Sequence, residues 1–217
     1  MALLHPMDEL VEHVVALPER ELALLAPRDG EALLTEEAFA HEEFLPYWAE
    51  LWPSALALAR IVARRPLTGR RVIELGCGLG LPAIAAALTG GRVLATDWSP
   101  DSVAMTARNA ERNGVALDTA VFRWDAPPEP LGLPWPLVLA SDVLYEARNV
   151  PLLLDLLPRL TAASGEVWLA DPGRAPAVRF LEAAATTFRI DAMPHDGPAH
   201  VTVHRLRPAP LSARGTP

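Results

Sequence analysis

The sequence predicts an α/β fold: a seven-stranded, mostly parallel sheet with helices on both faces and a helical cap at the N-terminus. Three observations carry that reading. From residue 71 onward, short runs rich in Val, Leu and Ile alternate with longer segments of helical character, the pattern of a parallel sheet covered on both sides. A glycine-rich turn, "ELGCGLG" at 74–80, joins the first run to the helix after it. Four successive runs close on an acidic residue, at Asp97, Asp125, Asp142 and Asp171. Open parallel sheets bind their ligands at those carboxyl ends, near the point where strand order reverses.

The elements follow in order. Residues 7–26 read as a helix, with Leu10, Val14 and Leu17 recurring at helical spacing, and residues 1–45 as a helical cap. "PYWAELWPSALALARIV" then sets Tyr47, Trp48 and Trp52 between two prolines, ahead of a helix over 53–65 with Pro53 in its first turn. "RRVIEL" is the first strand, "LPAIAAALTG" a helix closed by Gly90, and "GRVLATD" the second strand. The next helix, "SPDSVAMTARNAERNG", has Ser99 as N-cap, Pro100 in its first turn and Gly114 at its end. "DTAVFRW" is the third strand, and a proline-rich loop leads to the fourth, "LVLASD". A helix over 150–160, a fifth strand "GEVWLAD", a helix over 175–187 and two last strands, "RIDAM" and "VTVHRL", complete a domain over 46–207. Residues 208–217 are expected to be a disordered tail.

Composition narrows the function. A chain of 217 residues, 51% hydrophobic, suits one domain with a full core. The net charge of −8, with no basic stripe, argues against nucleic acid as a partner. No stretch is long and charge-free enough to span a membrane, and the acidic start lacks the basic leader of a secretory signal, so a cytoplasmic protein is expected. Cys77 is the only cysteine, which excludes an internal disulfide framework and a thiolate metal cluster. His195, His200 and His204 read as residues of a surface hairpin, His41 as exposed, and no metal site is expected. Lysine and glutamine are both absent, a pattern that codon bias explains.

The strand ends carry the chemistry. Gly76, Gly78 and Gly80 let the backbone turn tightly and approach a ligand, and the helix behind them offers free N–H groups. Their E-x-G-x-G-x-G spacing departs from the G-x-G-x-x-G of a dinucleotide site. Asp97 can accept both hydroxyls of a ribose. Trp124 can cover an adenine ring, with Asp125 reaching its amino group. Ser141 and Asp142 precede Val143, Leu144 and Tyr145, and Asp171 opens "DPGR".

From about Pro46 to Pro176 these motifs resemble the class I, seven-strand, Rossmann-like S-adenosylmethionine-dependent methyltransferases. "YWAELWPSALALA", "SDVLY" and "DPGRAP" are similar to its protein lysine methyltransferase branch. The resemblance implies S-adenosylmethionine as cofactor and a protein lysine as acceptor. It implies that Trp52 contacts the cofactor, that Gly76 and Gly78 pass the backbone under its amino-acid part, that Asp97 holds the ribose, and that Glu74, Cys77, Gly80 and Trp98 are also among the cofactor-binding residues. Trp124 and Asp125 would hold the adenine, with Ser141 beside the cofactor. Asp142 would grip the acceptor amine, Tyr145 would wall the pocket or hydrogen-bond there, and Asp171 is the second candidate. Arg174 would pair with Asp171 or hold the cofactor carboxylate. A small-molecule acceptor on the same sheet, or a nucleotide-binding oxidoreductase, are the alternatives.

Overall fold

The computed structural model describes residues 9–30 and 46–209. The N-terminal segment departs from the expected helix. Residues Leu10–Leu17 (β1) and Arg20–Pro27 (β2) form an antiparallel hairpin. Pro18 sits in the turn with Glu19 at φ 67°, where a proline would break a continuing helix. The buried residues Val15, Leu17, Leu22, Leu24 and Ala26 recur at period two, while Val14, the middle member of the expected helical stripe, is 66% exposed. The rest of the expected cap (1–8 and 31–45, with His41) and residues 210–217 of the tail lie outside the described residues.

After a short 3-10 turn at Tyr47–Ala49, helix α1 runs over Pro53–Ala63. Strand β3 (Arg71–Leu75) leads through the glycine loop to α2 (Leu81–Leu88), then β4 (Arg92–Asp97), α3 (Pro100–Arg112) and β5 (Asp118–Val121). The chain then crosses to β6 (Trp135–Ser141), α4 (Asn149–Leu160), β7 (Thr161–Asp171), α5 (Ala175–Ala184), β8 (Phe188–Met193) and β9 (Thr202–Pro208). Proline stands in the first turn of α1, α2, α3 and α5, where its missing N–H costs no helical bond. Ser99 caps α3 by accepting the Ser102 N–H at 3.3 Å.

The seven strands β3–β9 form one sheet in the order β5-β4-β3-β6-β7-β9-β8. The first five are parallel, and β9 runs antiparallel to both β7 and β8. Strand alternation splits the core into two layers. Val72, Leu137, Leu139, Trp168 and Ala170 face the layer shared with α1, α2 and the hairpin. Ile73, Leu75, Val138, Ala140, Val167 and Leu169 face the layer under α4 and α5.

Two boundaries differ from expectation, with consequences for the site. β5 stops at Val121, so Trp124 and Asp125 lie on the turn beyond it. β9 extends through Pro208, its Arg207 bonded to Asp191 of β8, so Pro208, expected in the tail, belongs to the sheet. Strand order reverses between β3 and β6, and the cleft opens there.

Candidate active site

The glycine loop is held from behind by α3. Ser102 and Thr106 both donate through their hydroxyls to the Gly78 carbonyl at 3.0 Å, and the Asn109 amide donates to the Leu79 carbonyl at 3.0 Å. Residues four and seven apart share one helix face, so a single polar stripe fixes the whole turn. Gly76 and Gly78 adopt φ of 66° and 54°. A Cβ on Gly76 would stand 3.0 Å from the Val143 side chain, and one on Gly78 would stand 3.3 Å from the Trp48 carbonyl. Both the backbone angle and the tight space therefore favour glycine.

In front of this loop lies a cleft of about 200 Å³. Nine of the sequence-predicted residues line it: Trp52, Gly76, Gly78, Asp97, Trp98, Trp124, Ser141, Asp142 and Tyr145. Asp97, at the end of β4, is buried, and its two oxygens accept the Gly78 N–H at 3.1 Å and the Ser99 N–H at 3.0 Å. Burial pushes its carboxyl above the usual range, and those amide donors oppose the shift. Trp98, Trp124 and Tyr145 also line a second cleft, together with Asp125. Asp125 itself is exposed and paired with Arg123 at 3.1 Å, which holds its carboxyl below the usual range.

Asp142 follows β6 at φ 57°, a left-handed conformation that few non-glycine residues adopt. Its N–H donates to the Ala170 carbonyl of β7 at 2.9 Å, which pins the turn to the neighbouring strand. The carboxylate is 7% exposed. Its Oδ2 accepts from the Ser54 hydroxyl at 2.9 Å. Its Oδ1 accepts from Arg174 Nε at 2.8 Å, with Nη2 also at 2.8 Å. Arg174 thus pairs with Asp142, not with Asp171, and its guanidinium carbon lies 5.7 Å from the Trp52 ring centre.

Aromatic rings form the rim. Tyr47 lies 5.2 Å from Tyr145 and 6.4 Å from Trp52, ring centre to ring centre, and the Trp52 indole N–H donates to the Tyr47 carbonyl at 2.7 Å. Burial, reinforced by the Glu146 carboxylate, pushes the Tyr145 phenol up to about 12. Trp48 has a mixed role: it borders the cleft, yet is buried against Ala26, Leu79 and Met105.

Four predicted residues line neither cleft. Cys77 is buried behind the loop, with its sulfur 3.3 Å from the Thr106 hydroxyl and 3.8 Å from that of Ser102. Burial, with Asp97 and Glu74 nearby, raises its thiol well above the usual value, so it is no thiolate. Glu74 is fully buried and accepts the Ala83 N–H at 2.8 Å; its role is to tie β3 to α2. Gly80 begins α2 against Thr106. Asp171 is 1% exposed and accepts the N–H groups of Gly173 and Arg174 at 2.7 and 2.8 Å, so it shapes the turn into α5. Burial raises its carboxyl above the usual range.

Tyr47, Trp48, Val143, Glu146 and Arg174 complete the cleft lining, and Ser54 stands behind Asp142. The paired aromatics before α1 were a visible signal for the first two. Ser54 carried none, since its partner lies 88 residues away. Among the described residues no cluster of three metal-ligating side chains occurs, and no helix is long and apolar enough to cross a membrane.

Comparison with known proteins agrees with this geometry. A family model described as lysine methyltransferase matches residues 47–185. The electron transfer flavoprotein beta subunit lysine methyltransferase of Xenopus laevis is 34% identical over 199 residues, 83% of this chain and 77% of that protein. EEF1A lysine methyltransferase 3 of Mus musculus is 29% identical over 175 residues, 77% of this chain and 75% of that protein. The solved structure of a TehB-like SAM-dependent methyltransferase from Corynebacterium glutamicum superposes with a TM-score of 0.57 at 16% identity, over 80% of this chain and 96% of that one, a likeness of fold.

Proposed function

This chain belongs to the lysine methyltransferase family, and from that premise we propose that its cleft seats S-adenosylmethionine and presents a protein lysine to it, with Asp142 holding the acceptor amine. The observation that carries the reading is the position of Asp142: buried, pinned in a left-handed turn at the strand-order reversal, and facing the same cleft as Gly76, Gly78 and Asp97.

The residues present fit the cofactor. The cradle beside Gly76 and Gly78 is one that a Cβ would fill, which suits the amino-acid part. Asp97 would take the ribose hydroxyls, Trp98 and Trp124 would flank the adenine with Asp125 at its edge, and Trp52 would offer a ring face to a cation. When bound, S-adenosylmethionine would supply a methyl group on a positively charged sulfur, an electrophile that a neutral amine can attack.

The chain's own residues bind, orient and exclude water. Asp142 Oδ2, having accepted from Ser54, keeps a second lone pair that one N–H of the acceptor can use. Tyr145 and Tyr47 wall the approach. With its phenol raised to about 12, Tyr145 acts as a hydrogen-bond donor and not as a base. Tyr47 is 40% exposed at the rim, so a long side chain entering from a partner protein meets it first.

Incubating the enzyme with methyl-labelled cofactor and lysate from its source organism should label a polypeptide on lysine; label confined to a small metabolite would favour the small-molecule alternative. The first defined acceptor to try is the β subunit of electron transfer flavoprotein, for which the Xenopus laevis relative is named. Asp142→Ala should lower transfer by about a hundredfold or more while S-adenosylhomocysteine binding, read by calorimetry, stays within severalfold. Wild-type turnover in that variant would remove Asp142 from the mechanism.

A further inference from the structure

An acceptor lysine enters as an ammonium, which has no lone pair to give. A bare buried carboxylate would hold it in that form, because an opposite charge within a few ångströms favours the charged state. Asp142 is not bare. Arg174 Nε and Nη2 both stand 2.8 Å from its Oδ1. The guanidinium carbon also lies 5.7 Å from the Trp52 ring centre, and the Arg174 backbone N–H donates to the Asp171 carboxylate at 2.8 Å, which fixes the residue from which the side chain reaches Asp142.

We propose that Arg174 is a positioning residue that cancels the charge of Asp142, so that the acceptor lysine settles beside that carboxylate as the neutral amine able to attack. The proposal rests on the reading of this cleft as a lysine seat. In the step assigned to it, an N–H bond of the ammonium breaks, its electron pair stays on nitrogen, and the proton leaves to water at the mouth beside Tyr47. Asp142 Oδ2 then orients the amine through one hydrogen bond without fixing a charge on it.

The groups facing this seat come from several elements, and their charges nearly balance. Beyond β6, Asp142 is met by Arg174, and Glu146 by Arg148 at 2.5 Å. Tyr145 and Tyr47 present phenols. Asp171, from the end of β7, lies behind Arg174 with its carboxyl raised by burial, and Asp97, from the end of β4, is likewise raised. Without Arg174, the carboxylate of Asp142 would be the uncompensated charge nearest the amine.

The test is single-turnover transfer of a labelled methyl group to lysate polypeptides from pH 6.5 to 9.5, with wild type, Arg174→Gln and Arg174→Lys, alongside calorimetry of S-adenosylhomocysteine binding. The sign follows from the acceptor: removing a cation beside a carboxylate raises the ammonium's proton affinity, so the rising limb of the rate moves to higher pH. For Arg174→Gln that displacement should be about one unit or more, a loss of about tenfold at pH 7.5 that is recovered toward pH 9.5. Arg174→Lys keeps the charge and should hold the limb within about half a unit, and both variants should bind S-adenosylhomocysteine within about threefold of wild type.

An Arg174→Gln loss that is equal at every pH would overturn the proposal, as would a tenfold loss of S-adenosylhomocysteine affinity, which would assign Arg174 to the cofactor. Should Arg174→Gln fail to fold, a full unit of displacement in Arg174→Lys overturns it equally. Wild-type enzyme that labels no polypeptide would defeat the underlying reading of the cleft, and this proposal with it.

Discussion

Gly78 shows how much of the site is decided by a single residue. Its φ of 54° is one that an L side chain resists, and a Cβ there would press on the Trp48 carbonyl at 3.3 Å. Ser102 and Thr106 clamp its carbonyl, so the loop cannot relax by rotating the peptide away. Gly78→Ala is expected to cost about 1–2 kcal/mol of stability and to weaken S-adenosylhomocysteine binding by tenfold or more. A melting curve and a calorimetric titration read the two effects separately, and wild-type affinity would show that the loop is not part of the seat. Asp142 tolerates a similar left-handed angle because its N–H, both carboxylate oxygens and the neighbouring strand hold it there.

At the scale of elements, α3 is the brace between the glycine loop and the N-terminal hairpin. Its Asn109 amide accepts the Leu25 N–H at 2.7 Å and donates to the Leu25 carbonyl at 3.0 Å, while Asn113 makes the same pair of bonds with Ala23 at 3.1 and 2.8 Å. Two asparagines one helical turn apart thus meet two β2 residues two apart, satisfying an edge that would otherwise present unpaired backbone groups. Asn109 also holds Leu79 of the glycine loop, which links the hairpin to the cleft. Asn109→Ala should cost about 2–3 kcal/mol, because three backbone groups lose their partner. It should also speed amide exchange across 20–27. Exchange unchanged in β2 would mean that apolar packing alone seats the hairpin.

For the molecule as a whole, burial of acids makes stability depend on pH. Glu74 is completely buried, and desolvation, with Asp97 adding repulsion, pushes its carboxyl well above the usual range while the Ala83 N–H opposes the shift. A carboxyl raised in the folded state favours folding below its unfolded value and loses that advantage as pH rises through the folded one. Glu74→Gln, which cannot ionise, should therefore gain on the wild type in melting temperature as pH goes from 5 to 8. A difference that stays flat across that range would show that Glu74 is not held protonated by the fold.

Much of this was legible in the sequence, for reasons of distance along the chain. The alternation of strand and helix, the proline-first helices, the glycine loop and the acids at four strand ends are patterns within windows of a few residues, where period and backbone preference act directly. They placed Gly76, Gly78, Asp97, Trp124 and Asp142 at one end of one sheet. Tertiary structure decided what those windows do not contain. The N-terminal apolar residues fit a helix by spacing, but Pro18 and the partner edge on α3 made them a hairpin. Cys77 belongs to the loop motif yet turns its sulfur inward to Thr106. Arg174 pairs with Asp142, 32 residues back, instead of with nearby Asp171, whose carboxylate is taken by the turn's own N–H groups. Charge pairing weakens with separation and strengthens as water is excluded, and only the folded chain sets both.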